Sequence, residues 1–307
     1  MNREYKIEIA ERYASRGQFN SAIETIKQVL ADDPNDALPH GLLAKYLISI
    51  LRLHGARYEL QVALGLDPML PFLHVLKARI ELLENNPKKA IESCEQAMRL
   101  EPHYVEALLL KSDLLLQLEQ TEEALKCIEE AANIEPDNVN VTTAFGEYYF
   151  DLGQNSKAFS YAHSALNNAP EDENANILMG CIRLKQGDIE EAEYHAKFVI
   201  LNNPDSRAAL NLFANIKIRH NIFLGMWWKF NNWAAKLSNI KMGLVLIIGF
   251  LTFNLVSQIL YDLGYKGTST VVSYTWLALV LYSWVGIPMY YKALKKELNK
   301  FQFNENF

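Results

Sequence analysis

The sequence predicts an all-α chain, an α-solenoid of helical hairpins followed by two transmembrane helices. Three observations carry that reading. Proline recurs every 34 residues at Pro34, Pro68, Pro102, Pro136, Pro170 and Pro204. Alanine keeps the same interval at Ala22, Ala56, Ala90, Ala124, Ala158 and Ala192, and a small residue does so at Ala10, Ala44, Ala78, Ser112, Gly146 and Gly180. Beyond Lys241, two long stretches carry no charge. Several positions locked to one period identify stacked supersecondary units rather than one closed globular core.

The array comes first, over residues 1–206. Six units run 3–36, 37–70, 71–104, 105–138, 139–172 and 173–206. Small residues at two positions of each unit let two helix backbones approach, where a larger side chain would splay the pair. Proline lacks an N–H and disfavours helix in the residue before it, so it ends the second helix of each unit. Asp33, Asp67, Glu101 and Glu135 precede prolines, and Asp36 and Asp137 follow two of them as starts for the next helix. Gly17, Gly153 and Gly187 supply turns between paired helices, whereas the second unit has Leu51 in that place. A seventh unit begins at Arg207 with Ala214 at its small position, then fails at Met226 and Trp233. Segment 207–221 is therefore expected to be a half-repeat or capping helix that covers the last apolar face.

At these residues the chain resembles the tetratricopeptide repeat (TPR) family, whose units have a small residue at the eighth position, often Tyr or Leu at the eleventh, Ala at the twentieth and twenty-seventh, and Pro at the thirty-second. The twenty-seventh position reads Val29, Ala63, Ala97, Ala131, Ala165 and Val199. The eleventh reads Tyr13, Leu47, Glu81, Leu115, Tyr149 and Arg183, so the third and sixth units depart from the family pattern there. The resemblance implies a concave face lined by the second, fifth, ninth and twelfth positions of each first helix. It gives partner-binding candidates Lys45, Ile48, Phe72, Val75, Arg79, Leu82, Leu109, Asp113, Leu116, Glu147 and Phe150, with Asn140, Thr143 and Asn174 at the same kinds of position. Down the ninth positions run Glu11, Lys45, Arg79, Asp113 and Glu147, a basic pair between acids. The functional reading is a groove for a peptide or amphipathic helix, with apolar anchors for affinity and charges for register. The competing reading is that some of these apolar residues only pack neighbouring repeats. Chaperone-binding members of the family clamp a terminal carboxylate with Lys and Asn at the fifth and ninth positions of the first repeat. Ile7 and Glu11 stand there here, which disfavours capture of a chaperone tail.

Charge sorts the chain by region. Residues 1–205 hold 19 Lys/Arg against 33 Asp/Glu, while residues 206–241 hold six basic residues and no acid. An acidic body argues against nucleic-acid binding, which needs a positive stripe. A basic neck suits anionic headgroups. Cys94, Cys127 and Cys181 fall within helical segments, without a CxxC pair, and read as reduced packing thiols. The seven histidines are scattered, so neither a metal nor a cofactor is expected.

The membrane end follows. Segment 222–240 places Phe223, Trp227, Phe230, Ala234 and Leu237 at helical spacing; it either lies in the headgroup layer or caps the array. Residues 241–261 include the uncharged run Met242–Tyr261, 262–266 form a turn, and 267–291 make a second uncharged stretch before the basic tail 292–307. Each stretch is long enough for a hydrocarbon core of about 30 Å. Lys229, Lys236 and Lys241 precede the pair and Lys292, Lys295, Lys296 and Lys300 follow it, against Lys266 alone in the turn, which places both ends in the cytoplasm. The charged, amphipathic first residues lack the pattern of a secretory signal, in keeping with the same placement. A bacterial inner membrane is the expected location. Asn254 and Gln258 lie one turn apart on the first span and could hydrogen-bond a neighbouring helix.

The leading function is a membrane-anchored adaptor whose cytoplasmic array recruits a protein for assembly, quality control or regulation of a membrane complex. The alternative is a structural module that self-associates through its hairpin. The sequence has no GxSxG, HExxH, P-loop or GxGxxG, so an enzyme is not expected.

Overall fold

The computed structural model describes residues 2–204, 206–220 and 239–281; side chains at 218, 220, 239–248 and 276–281 are not described. Every regular element among the described residues is an α-helix. The first twelve fall into six hairpins: α1 (Arg3–Ser15) with α2 (Phe19–Asp32), α3 (Ala37–Ser49) with α4 (Leu53–Leu66), α5 (Pro71–Leu83) with α6 (Pro87–Leu100), α7 (Val105–Gln117) with α8 (Thr121–Ile134), α9 (Val139–Asp151) with α10 (Asn155–Asn168), and α11 (Glu173–Gln186) with α12 (Ile189–Asn202). α13 (Arg207–His220) begins the seventh unit. α14 (Asn239–Asp262) and α15 (Lys266–Leu281) follow. The chain divides into two compact units, 1–212 and 213–307.

In the first unit the periodic alanines do what their size requires. Ala22, Ala56, Ala90, Ala124, Ala158 and Ala192 are all fully buried, as are Ala10, Ala44 and Ala78. The glycines at the eighth position sit tighter still. A Cβ on Gly146 would lie 2.6 Å from Leu178 Cδ2 and 3.4 Å from Tyr161 Cβ; at Gly180 the same distances separate it from Leu212 Cδ2 and His195 Cβ. Where the fifth and sixth units carry glycine, the facing helix carries bulky Tyr161 or His195. Where the first three carry alanine, it carries Thr25, Glu59 or Ser93. The tightest neighbour of each glycine is a leucine further along the chain, Leu178 or Leu212, into whose space the missing Cβ would project.

The interhelical turn is made the same way six times. The fifteenth residue of every unit takes the left-handed backbone: Gly17, Gly153 and Gly187 at φ 71°, 74° and 91°, and Leu51, Asn85 and Glu119 at 53°, 62° and 61°. Outside glycine this region costs roughly 1–2 kcal/mol, somewhat less for Asn. Hairpin packing therefore enforces the turn where the residue does not favour it.

Helix starts match expectation at one aspartate and shift at another. Asp36 caps α3, its carboxylate accepting from Leu38 N–H. α9 is capped by Asn138 rather than the expected Asp137, the Asn side chain accepting from Asn140 N–H. The proline carbonyl at several unit ends is taken up by the side chain six residues on. His40 Nε2 lies 3.0 Å from Pro34 O and His74 Nε2 2.9 Å from Pro68 O, and Asn176 Nδ2 donates to Pro170 O at 2.9 Å. His195 in turn sits 2.9 Å from Asn176 Oδ1, with burial lowering its pKa. These histidines satisfy backbone and neighbours. Cys94 and Cys127 are buried, and burial pushes the Cys94 thiol up to about 12.

The array also meets itself end to end. The turn of the first hairpin abuts the end of the sixth: a Cβ on Gly17 would fall 2.5 Å from Asn203 Oδ1 and 3.4 Å from Asn203 Cα. Asn203 is held from the other side by Glu173, whose carboxylate accepts from its Nδ2 at 2.9 Å and from Ser206 Oγ at 2.6 Å.

In the second unit α14 and α15 pack as a hairpin, turned at Gly264 with φ 89°. Ser257 joins them, its Oγ 3.0 Å from both Ser269 O and Ser269 Oγ. Asn254 and Gln258 are exposed, and Asn254 Nδ2 donates to Phe250 O of its own helix at 3.0 Å. Among the described residues no helix is long and apolar enough to cross a membrane. The expected first span falls on α14, described in side chains from Gly249 onward, and the expected second runs past Leu281 beyond the described residues. The expected amphipathic segment over 222–238 and the tail 292–307 also lie outside them.

Candidate functional site

The first helices of successive hairpins bring their inner residues to one groove. One part of it is a cavity of about 610 Å³ walled by α5, α7, α9 and the start of α11. Arg79, Glu106, Leu109, Asp113, Asn140, Thr143, Glu147 and Asn174 line it, each at a second, fifth or ninth position of its unit. A second cavity of about 390 Å³ continues along α7, α9 and α11 past Leu116, Phe150, Asp151 and Ile177. Asp113 and Glu147 border both, so the two carboxylates mark the centre of the groove.

The remaining candidates fall elsewhere. Val75 is 1 % exposed and belongs to the core between α5, α6 and α7, where it packs rather than lines the groove. Phe72 closes over Gly41, where a Cβ would lie 2.4 Å from Phe72 Cζ; together with Ile48 it packs on the core of the first hairpins. Leu82 packs against the α5–α7 core. Lys45 is exposed and lines neither cavity. Sequence reasoning passed over Asp151, one residue beyond the twelfth position; its place at the C-terminal end of α9, one turn after Glu147, is the signal that could have found it.

The electrostatics are lopsided. Arg79 donates to Glu106 Oε1 at 3.0 Å, which leaves Asp113 only its more distant charge. Lys185 lies 4.5 Å from the centre of the Phe150 ring and donates to Phe150 O at 3.4 Å. Burial pushes the Asp113 carboxyl up to about 6, against the pull of Arg79 and with a smaller push from Asp151. For Glu147, burial first and then the charges of Asp113, Asp151 and Asp172 push the carboxyl up to about 8. Asp151 is raised by burial and partly relieved by Lys185. Those shifts make the Glu147 carboxyl more readily protonated near neutral pH than a solvent-exposed glutamate. Thr143 adds a second unmet demand. It is 2 % exposed, and its Oγ1 has no hydrogen-bond partner among the described residues. Among those residues, no cluster of His, Cys, Asp and Glu could hold a metal ion.

A solenoid of helical hairpins with a polar, half-buried inner groove defines the class of fold. Residues 81–144 match the tetratricopeptide repeat family model, across the middle of the array. Among solved structures, a thermophilic TPR protein of Thermus thermophilus is similar at TM-score 0.54 and 16% identity, over 60% of this chain and 100% of that one. A chain of the APC/C hetero-tetramer Cut9–Hcn1 is similar at TM-score 0.57 and 14% identity, over 87% of this chain; the likeness spans about half (52%) of that longer chain. At such identities the likeness is one of fold. No curated protein matches the sequence.

Proposed function

We propose that this chain is a membrane-anchored TPR adaptor: the array holds a protein partner in its inner groove, and the helical pair α14–α15 fixes it at a bilayer. The carrying observation is the pair of cavities that meet at Asp113 and Glu147 along the inner positions of the first helices; a further cavity of about 470 Å³ beside Asp33, Asp36 and Leu70 shares no lining residue with them. Leu109, Leu116 and Phe150 supply apolar contact beside those carboxylates, the mixture that fixes both affinity and register of an extended or helical guest. The anchoring part is supported by the uncharged run Met242–Tyr261 and by the outward apolar side chains Phe250, Leu251, Leu255 and Ile259 on α14. The basic residues on either side of the pair favour both termini in the cytoplasm, with a bacterial inner membrane as the location. The partner would be a subunit whose assembly, quality control or regulation takes place at that membrane.

Site-specific photo-crosslinking in native membranes tests the reading. A crosslinker at Leu109 or Leu116 should trap one protein, and one at exposed Glu122 on the opposite helix of the hairpin should not. The species trapped from Leu116 should disappear when Arg79 and Leu109, which line the groove, are changed together to Ala. Equal trapping from both faces would end the groove reading, and release of the full chain by alkaline carbonate would end the anchor. If the trapped protein is a second copy of the chain, and changing Asn254 and Gln258 to Leu abolishes it, the self-association alternative takes its place.

A further inference from the structure

We propose that the floor of the groove between α7 and α9 is a receptor for one positively charged side chain, lysine or arginine, carried by the partner peptide and held between Asp113, Glu147 and Thr143. This rests on the groove being the partner site and names the chemistry that it selects.

Two independent features point the same way. The first is a pair of carboxylates shared by both cavities, with no cation bonded to either among the described residues. The nearby cations are spoken for: Arg79 is bonded to Glu106, and Lys185 is drawn to the Phe150 ring and carbonyl. The second is the Thr143 hydroxyl. A helical threonine ordinarily returns its hydroxyl to the carbonyl one turn back, as Thr142 does to Asn138 O at 3.3 Å. Thr143 lines the larger cavity one turn before Glu147 and makes no such bond. An unmet buried hydroxyl and two crowded carboxylates each cost stability in the empty groove.

Only one kind of guest relieves all three groups. An anionic guest adds to the repulsion among Asp113, Glu147, Asp151 and Asp172. A neutral guest displaces water and leaves the carboxylates without a counter-charge. An ammonium or guanidinium donates to both carboxylates and to Thr143 Oγ1, and its charge reverses the push that keeps Glu147 protonated. The groove thus has the opposite polarity to a carboxylate clamp, and binding expels a proton from Glu147.

The test uses the full-length chain in detergent at pH 7 with labelled 12-residue peptides of Ala, Leu and Ser. One central position is varied among Lys, Arg, Gln and Glu, and binding is read by fluorescence anisotropy. Lys and Arg should bind at least ten-fold more tightly than Gln, and Glu should bind weakest. Asp113→Asn with Glu147→Gln should bring Lys within two-fold of Gln. Glu122→Gln with Glu123→Gln, which neutralises two exposed carboxylates of α8, should leave the ten-fold preference intact. Thr143→Val should cut it about three-fold. Calorimetry in two buffers of different ionisation enthalpy should show proton release with the Lys peptide for the wild type and none for Glu147→Gln. The isosteric changes remove repulsion, so unfolding midpoints at or above wild type will show that lost binding is not lost fold.

Equal affinity for Lys and Gln peptides overturns the receptor while leaving the groove as the partner site. Equal loss in the α8 pair also overturns it, by reducing the effect to the general acidity of the array. If spermidine alone binds and peptides do not, the site belongs to a small amine and the proposal fails. If no probe binds, the receptor fails again, and the crosslinks from Leu109 and Leu116 decide separately whether the groove reading survives.

Discussion

The second and third hairpins and the fifth and sixth trace the same backbone with different chemistry. In the former, Leu51 and Asn85 are forced through the left-handed turn, Ala44 and Ala78 separate the helices, and the ninth positions are the bases Lys45 and Arg79. In the latter, Gly153 and Gly187 make the turn at no steric cost, and Gly146 and Gly180 accept Tyr161 and His195 across from them. The ninth position of the fifth is the acid Glu147. The difference teaches that the fold requires a close helix approach at the eighth position, met by alanine in one pair of hairpins and by glycine in the other. Conformational preference and groove charge are free to vary around that constraint.

The largest effect should come from breaking that close approach. Gly146→Val pushes a branched side chain into Leu178 and the backbone of α10, at a cost of about 3 kcal/mol in the denaturant-derived unfolding free energy. Gly146→Ala should cost about 1 kcal/mol, because the end of Leu178 can shift, and Tyr161→Ser added to it should not recover that cost, since serine keeps the Cβ 3.4 Å away and forfeits the stacking on Phe145 and Tyr149. Rescue by the second change would mean that the Tyr161 ring, rather than Leu178, sets the limit at Gly146.

Next is the pH dependence of the acidic hairpin. The folded-state pKa of Glu147 is raised, so its contribution is most favourable below the ordinary glutamate range and is lost as pH rises through about 8. Between pH 5 and pH 9 the wild type should lose roughly 1–2 kcal/mol more stability than Glu147→Gln, a figure reduced for solvent screening in an open groove. Parallel pH profiles for the two proteins would show that the carboxyl is not desolvated.

The turns give smaller effects of opposite sign. Leu51→Gly should stabilise by about 1 kcal/mol by relieving the left-handed backbone, less what is lost to the greater freedom of the unfolded chain. Gly153→Ala should destabilise by about 1 kcal/mol for the converse reason. Asn85→Gly should change stability by only a few tenths, since Asn tolerates that region. Thermal midpoints of the three variants measure the series.

Much of the array was legible because its rules act on residue size at fixed intervals. The prolines, the buried alanines and the start of α3 at Asp36 are all local consequences of composition. Val75 could not be read as core, since the fifth position lines the groove in the fourth and fifth hairpins, through Leu109 and Thr143, and is packed in the third. Leu51 stood in the register of the turn glycines, but the residue types of Leu51 and Glu119 gave no sign of positive φ, because hairpin packing overrides their preference. The cap at Asn138 rather than Asp137 depended on which neighbour had the right backbone geometry. Nothing in a sequence distinguishes Thr142, which bonds its own helix, from Thr143, which does not, and on that difference the chemistry of the groove floor turns. At the other end of the chain, the uncharged run is plain in the sequence, yet the bond joining α14 to α15 is made by Ser257 rather than by the larger amides beside it.

Repeat proteins ordinarily survive excision of a whole unit, because each unit touches only its neighbours. The seating of Asn203 against Gly17 removes that freedom here. Deleting or duplicating one 34-residue module between them would carry Asn203, with Glu173 and Ser206 still bonded beside it, away from Gly17. The number of hairpins is thereby written into the fold, and an edit that keeps every local contact would still be felt where the coil comes back to its beginning.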